Sequence, residues 1–214
     1  MVVLIAMSCG LLFRPSLAAE LRPDEAIEKA VAMLSMAIEP RHEELTHDRQ
    51  EMYGVVDDFL LRYADMRGAC RVIMSKHWKN ATSEQRTRFI NAFNSHVSNL
   101  LVDLFLEMKF DTLSVQPFEG DLEELPVMVK TTVRLDSGSV ASFNFRMHDK
   151  DGDWRILDVI AGGVSYVKLY RSQITVEVAE YGLDQVIERF EQKSARETAT
   201  QLSVPAGSEP VSNF

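Results

Sequence analysis

One stretch limits the folds open to this chain more than any other: a long amphipathic helical run that gives way to a two-residue alternation. Thr82-Ser83-Glu84-Gln85 is a capping box, in which the Thr hydroxyl accepts a free backbone N–H and the Gln side chain reaches back to the cap. After it, Phe89, Phe93, Val97, Leu100, Leu101, Leu104, Phe105 and Met108 keep helical spacing for about seven turns. The spacing predicts a helix from Thr82 to near Lys109 with one wide face of large side chains. Beyond it, Val127, Val129, Thr131, Val133 and Leu135 alternate, and Asp136-Ser137-Gly138 supplies a turn. Ala141, Phe143, Phe145 and Met147 then alternate with Val140, Ser142, Asn144 and Arg146. That is a β-hairpin, and its apolar face needs a helical layer to cover it.

The flanking sequence supplies the rest of both layers. Residues 22–40 read as a helix through Ala26, Ile27, Ala30, Val31, Leu34 and Ile38, with Pro40 as its stop. The stretch to Gln50 is polar. Residues 52–61 form a second helix and residues 67–79 a third, whose buried stripe is Ala69, Cys70, Ile73, Met74 and Trp78. Residues 112–117 are a weak first strand. Asp149-Lys150-Asp151-Gly152-Asp153 turns the chain into a strand from Trp154 to Ile160. Gly162-Gly163 breaks that strand, Ser165 caps a helix to Tyr181, and Gly182 stops it before amphipathic turns through Phe190. The expected fold is α+β: a twisted antiparallel sheet of about four strands wrapped by helices. Such an arrangement can enclose an internal apolar cavity.

At 214 residues the chain is the size of one domain, placed at residues 20–194. Residues 195–214, rich in Thr, Ser, Pro and Gly, are expected to be a disordered tail. Residues 1–19 are apolar, broken by Arg14 and Pro15, and end in the small residues Ser16, Ala18 and Ala19. They read as a signal peptide, too short to anchor in a bilayer, so an exported periplasmic protein is expected. The net charge of -9 repels nucleic acid and anionic membrane surfaces. Any lipid chemistry must therefore rest on apolar burial or on a partner protein. After residue 19 only Cys70 remains, which cannot form an internal disulfide and is safest buried.

Groups able to do chemistry are scarce. His42, His47, His77, His96 and His148 sit in separate elements without ligand spacing, so neither a metal nor another cofactor is expected. Cys70 has Ile73 and Met74 as helical neighbours and reads as a small core residue. Asp57 and Asp58 are adjacent on a helix, point about 100° apart and cannot share a proton. Residues 149–153 begin like a calcium loop but lack the distal Glu. The one acid–base pair that can be assembled is Asp158 with His96 or His148, which an isomerase or dehydratase would need inside a cavity. No catalytic residue is assigned and no enzyme activity is expected. Large flexible and aromatic residues facing the sheet, among them Phe59, Met74, Met108 and Met147, suit a lipid-lined pocket and equally a closed core.

Two segments carry a family resemblance. His77-Trp78-Lys79-Asn80-Ala81-Thr82-Ser83-Glu84-Gln85-Arg86, followed by Phe89 and Phe93, is the first. Trp154, Asp158-Val159-Ile160, Gly163-Val164-Ser165, Tyr170-Arg171-Ser172-Gln173 and Gly182-Leu183 form the second. In order and spacing they resemble signatures of the MlaC or toluene-tolerance family of periplasmic phospholipid-binding proteins, over roughly residues 20–195. The chain departs from the family pattern at Gly162, where an acidic residue is usual, and at Ile174, where Phe is common. The resemblance implies a cone-like fold holding phospholipid acyl chains between sheet and helices. It also implies handover between an outer-membrane lipoprotein complex and an inner-membrane ABC transporter complex with an MCE-type subunit. A related branch of the family is associated with hopanoids. On this basis Phe59, the helical face Phe89, Phe93, Val97, Leu101 and Phe105, and the sheet residues Val133, Phe143, Phe145 and Ile156 are expected to line the cavity. Val164, Tyr166 and Tyr170 are expected to border its mouth.

Overall fold

The computed structural model describes residues 21–134 and 138–203. The segment read as a signal peptide, and residues 204–214 of the expected tail, lie outside the described residues. Among the described residues five α-helices precede the long one: α1 (Pro23–Ile38), α2 (His42–His47), α3 (Arg49–Tyr63), α4 (Met66–Met74) and α5 (Lys76–Asn80). The polar stretch before Gln50 thus holds a short helix. The single helix expected over residues 67–79 is broken at Ser75, which adopts φ 50° and ψ −121°. The long helix α6 (Ser83–Glu107) starts as its sequence requires, with Thr82 Oγ1 accepting the Gln85 N–H at 3.1 Å and Gln85 Oε1 accepting the Thr82 N–H at 2.9 Å.

The sheet has six antiparallel strands, where about four were expected: β1 (Leu113–Val115), β2 (Val127–Val129), β3 (Thr131–Arg134), β4 (Val140–Lys150), β5 (Asp153–Ala161) and β6 (Val164–Ser165). The order is β1-β3-β4-β5-β6, and β2 also pairs with β4, so the sheet is open. The extra strands have local causes. The first arm of the hairpin divides at Lys130, because the Thr131 N–H turns to the Asn144 side-chain carbonyl at 3.3 Å instead of a ladder partner. Asp151 and Gly152, both at positive φ, make the two-residue turn between β4 and β5.

Two further helices follow among the described residues, α7 (Tyr166–Tyr181) and α8 (Leu183–Ser203). Ser165 caps α7, its side chain accepting the Lys168 N–H at 3.1 Å, and Gly182 ends it at φ 81°. The disordered tail expected from residue 195 is corrected for residues 195–203, which continue α8. Ser194, Glu197 and Thr198 explain the difference, since each is bonded to α6. The Ser194 carbonyl accepts from Asn99 Nδ2 at 3.0 Å, Thr198 Oγ1 donates to Asn99 Oδ1 at 2.9 Å, and Glu197 lies 2.9 Å from His96 Nδ1.

The apolar core forms three clusters. One joins α4, α5, α6, α7 and α8 around Phe89, Phe93, Ile174 and Phe190. A second joins α1, α2, α3 and α6 around Met52, Val56, Val102 and Phe105. The third presses α1, through Ala26 and Ile27, onto Val127, Val129, Met147 and Ile156 of the sheet.

Candidate functional site

The long helix α6 is the axis on which the candidate site is built. Its i, i+4 series Phe89, Phe93, Val97, Leu101 and Phe105 does not stay on one face. At 3.6 residues per turn each step of four advances about 40°, so Phe89 and Phe105 point about 160° apart. The structure divides the series accordingly. Phe89 and Phe93 stack at 5.9 Å and pack with Phe190 in the helical cluster. Leu101 and Phe105 face α1 and α3, and Val97 touches both clusters. Phe59 of α3 meets Phe105 edge-on at 5.3 Å and also packs against the sheet cluster.

On the sheet, register places the expected residues on one face. Val133 lies opposite Ala141, Phe143 opposite Ala161, Phe145 opposite Val129 and Val159, and Met147 opposite Ile156. The odd spacing from Ile156 to Val159 would put them on opposite faces of a regular strand. An irregularity between Arg146 and Met147 leaves Leu157 without a register partner, which restores Ile156 to the inner face. Phe143, Phe145 and Val159 are only half-buried although helices cover this side of the sheet. Phe59, Val97 and Leu101 are half-buried as well.

Of the residues expected at the mouth, Val164 is 52% exposed and Tyr166 36% exposed. Tyr170 instead turns inward, its ring 5.1 Å from Phe93 and its hydroxyl 2.7 Å from His96 Nε2. Burial, helped by the charge of Glu197 and by Tyr166, pushes the Tyr170 hydroxyl up to about 12. It therefore keeps its proton, and the His96 ring bridges it to Glu197, whose Oε2 lies 2.9 Å from Nδ1. Tyr53 Oη donates to Asn99 Oδ1 at 2.6 Å beside this group. Sequence reasoning missed this buried polar seam between α6 and α8. Its only local sign is that His96 and Asn99 sit among the apolar positions 93, 97 and 100.

The acid–base pair considered for an isomerase is not formed. Asp158 accepts the Ser165 hydroxyl at 2.6 Å and the Val167 N–H at 3.0 Å, and lies 3.4 Å from Arg146, so it holds the start of α7. His148 lies instead 3.1 Å from Asp65. Cys70 is fully buried, and burial pushes its thiol pKa well above the ordinary value. Asp57 accepts from Ser98 at 2.8 Å and Asp58 pairs with Arg62 at 2.8 Å, so the two act separately. Among the described residues no three His, Cys, Asp or Glu side chains are grouped to hold a metal ion, and no helix is long and apolar enough to cross a membrane. A surface depression of about 770 Å³ is lined by Pro40, Arg41, Glu43, Glu44, His47 and Asp48, too polar for acyl chains. Another, of about 440 Å³, runs between α1 and β1, with Val31, Phe110, Leu113 and Val115 in its wall.

Comparison with known proteins agrees with this architecture. A family model described as MlaC protein matches residues 28–192. The toluene tolerance protein ttg2D of Pseudomonas putida is 23% identical over 163 residues, spanning 76% of this chain and 75% of that protein. The intermembrane phospholipid transport system binding protein MlaC of Haemophilus influenzae is 20% identical over 184 residues, spanning 83% of this chain and 85% of that protein. Among solved structures, a phospholipid-binding protein from Ralstonia solanacearum, in complex with a phospholipid, superposes with a TM-score of 0.73 at 18% identity. That match covers 82% of this chain and 98% of the other, and shows the same fold.

Proposed function

The chain belongs to the MlaC family, and on that premise we propose that it is a periplasmic carrier that holds phospholipid acyl chains between its helices and the inner face of its sheet. The observation that supports the proposal is a set of large apolar side chains, at the junctions of the three core clusters, that stay only half-buried. The middle cluster joins the helical one through Met66 and Val97, and the sheet cluster through Val31 and Phe59. All four are only half-buried. Half-buried Phe59, Val97, Leu101, Phe143 and Phe145 are the lining we assign to a disordered hydrocarbon chain. Phe105, Val133 and Ile156 extend that lining, and Val164 and Tyr166 stand at its rim. Phe89, Phe93 and Tyr170 support it from the helical side.

The physical need for a carrier is set by the tails. Exposing a diacyl lipid costs about 0.8 kcal/mol per CH₂, so roughly thirty methylenes cost about 20 kcal/mol or more, which makes unaided transfer very slow. A pocket comparable in tail affinity to the bilayer removes most of that cost and still releases its cargo. No proton transfer or covalent step is required, and the protein acts without catalysis. In this scheme residues 1–19 direct export. The carrier exchanges lipid with an outer-membrane lipoprotein complex on one side and an inner-membrane MCE-type ABC transporter complex on the other.

Native mass spectrometry of protein purified from its own periplasm tests the proposal. Phospholipid should be present in the native protein and reduced in Val97→Trp and Leu101→Trp, whose larger rings would occupy the half-buried space, with circular dichroism unchanged. A hopanoid in place of phospholipid would assign the alternative cargo. Protein free of lipid, or unchanged lipid in both variants, would sink the proposal.

A further inference from the structure

Charge in this chain is segregated. Residues 62–88 hold seven basic and two acidic residues, a local net of +5 in a chain of net -9, so the remaining residues together carry -14. Two of the seven are neutralised in place, Arg62 by Asp58 and Arg88 by Glu191, each at 2.8 Å. Among the described residues Arg67, Arg71, Lys76, Lys79 and Arg86 have no carboxylate within ion-pair distance, as is also true of scattered cations such as Lys29, Lys130, Lys168 and Arg171. Asp65 is buried and engaged by Lys150 and His148. Of the two acids in the segment, that leaves Glu84 exposed at the surface.

Arg67 and Arg86 meet at Trp78, and Arg71, Lys76 and Lys79 are exposed on the two helices, α4 and α5, that lead to it. The guanidinium carbons of Arg67 and Arg86 lie 5.6 and 5.4 Å from the Trp78 ring centroid. Arg86 is fixed further, donating from Nε to the Trp78 carbonyl at 2.9 Å and from Nη2 to the Lys79 carbonyl at 3.3 Å. Arg71 stands one turn beyond Arg67 on α4, and Lys76 one turn before Lys79 on α5. Guanidinium groups held in this way lose little freedom on pairing with a carboxylate, which favours a directed contact over a diffuse one.

We propose that this face of α4, α5 and the start of α6 is a docking surface for an acidic segment of a partner protein. A bilayer fits it less well. The only large apolar side chain exposed on α4 is Val72, so nothing there would insert among lipid chains. A broad anionic surface would also meet the -14 carried by the rest of the chain, while a narrow acidic segment would touch only what lies within a Debye length of about 8–10 Å.

The proposal stands independently of the lipid cargo and is tested on the full chain with a fluorescent Glu-rich peptide, its Gln counterpart, and vesicles of equimolar phosphatidylcholine and phosphatidylglycerol. The Glu-rich peptide should bind, its affinity falling with salt, and the Gln peptide should not. R67E/R71E should weaken binding about tenfold or more. K29E/K130E, the same change of net charge on α1 and the sheet, should leave it within about twofold. K76E/K79E, which leaves the stack on Trp78 untouched, should act like R67E/R71E and covers the case in which that variant fails to fold. Equal losses in R67E/R71E and K29E/K130E would reduce the effect to net charge and overturn the proposal. So would absence of peptide binding, or vesicle binding that alone depends on Arg67 and Arg71. Bound lipid should be unchanged in all the variants, which separates this outcome from failure of the carrier function.

Discussion

Replacing Gly68 with Ala sets helix propensity against geometry. Propensity alone favours Ala by about 1 kcal/mol in a helix. The structure opposes it, because a Cβ at this position would meet Asp65 Oδ2 at 2.3 Å, Asp65 Cγ at 2.8 Å and Leu157 Cδ1 at 3.0 Å. The carboxylate cannot simply move aside. It accepts the Gly68 N–H at 3.0 Å and Lys150 Nζ at 2.9 Å, and caps α4. Displacing it removes an N-cap worth about 1 kcal/mol and a charge-assisted bond worth about 1.5–3 kcal/mol, taken near the lower figure because Lys150 is half in water. After subtracting the propensity gain, Gly68→Ala should destabilise the protein by about 1–2 kcal/mol. Urea unfolding at pH 7, followed by far-UV circular dichroism, should show a lower midpoint with an unchanged slope.

The same variant has a pH signature. Burial raises the Asp65 pKa, but Lys150, the Gly68 N–H and the charge of His148 outweigh it and hold the carboxyl below its ordinary value. A carboxyl depressed on folding contributes stability that is present above its unfolded pKa of about 3.9 and is lost as pH falls through the folded value. The gap between parent and variant should therefore narrow in acid. A variant as stable as the parent at pH 7, or a gap that stays constant into acid, would refute the reasoning.

Cys70 should resist thiol reagents at pH 8 in the native protein and react once urea unfolds it; rapid native labelling would contradict its burial and raised pKa. His96→Ala strands the Tyr170 hydroxyl and should cost about 1–3 kcal/mol, with hydrogen exchange rising in residues 193–200; unchanged exchange there would deny the seam between α6 and α8. Truncation after Ser194 removes Glu197 and Thr198 and should lower the thermal midpoint while leaving the sheet's exchange protection intact. Equal loss of protection throughout would show that the last turns of α8 hold more than α6.

Local signals in the sequence were enough to define α6 with its capping box, the hairpin built on β4, the Asp151-Gly152 turn, and the Ser165 and Gly182 boundaries of α7. Each depends on residues only a few positions apart, whose hydrogen bonds and φ preferences act before any tertiary contact forms. Tertiary structure decided the rest. The direction of each α6 aromatic follows from a drift of about 40° per step, which turns one apparent face into two. The break at Lys130 depends on Asn144, the return of Ile156 to the inner face depends on the β4 pairing, and the turns beyond Ala195 form because Asn99 and His96 wait on α6. A spacing pattern states which residues are apolar and how often they recur. Which of them meet is set by partners remote in the chain, and that decides how the apolar residues divide among the three clusters.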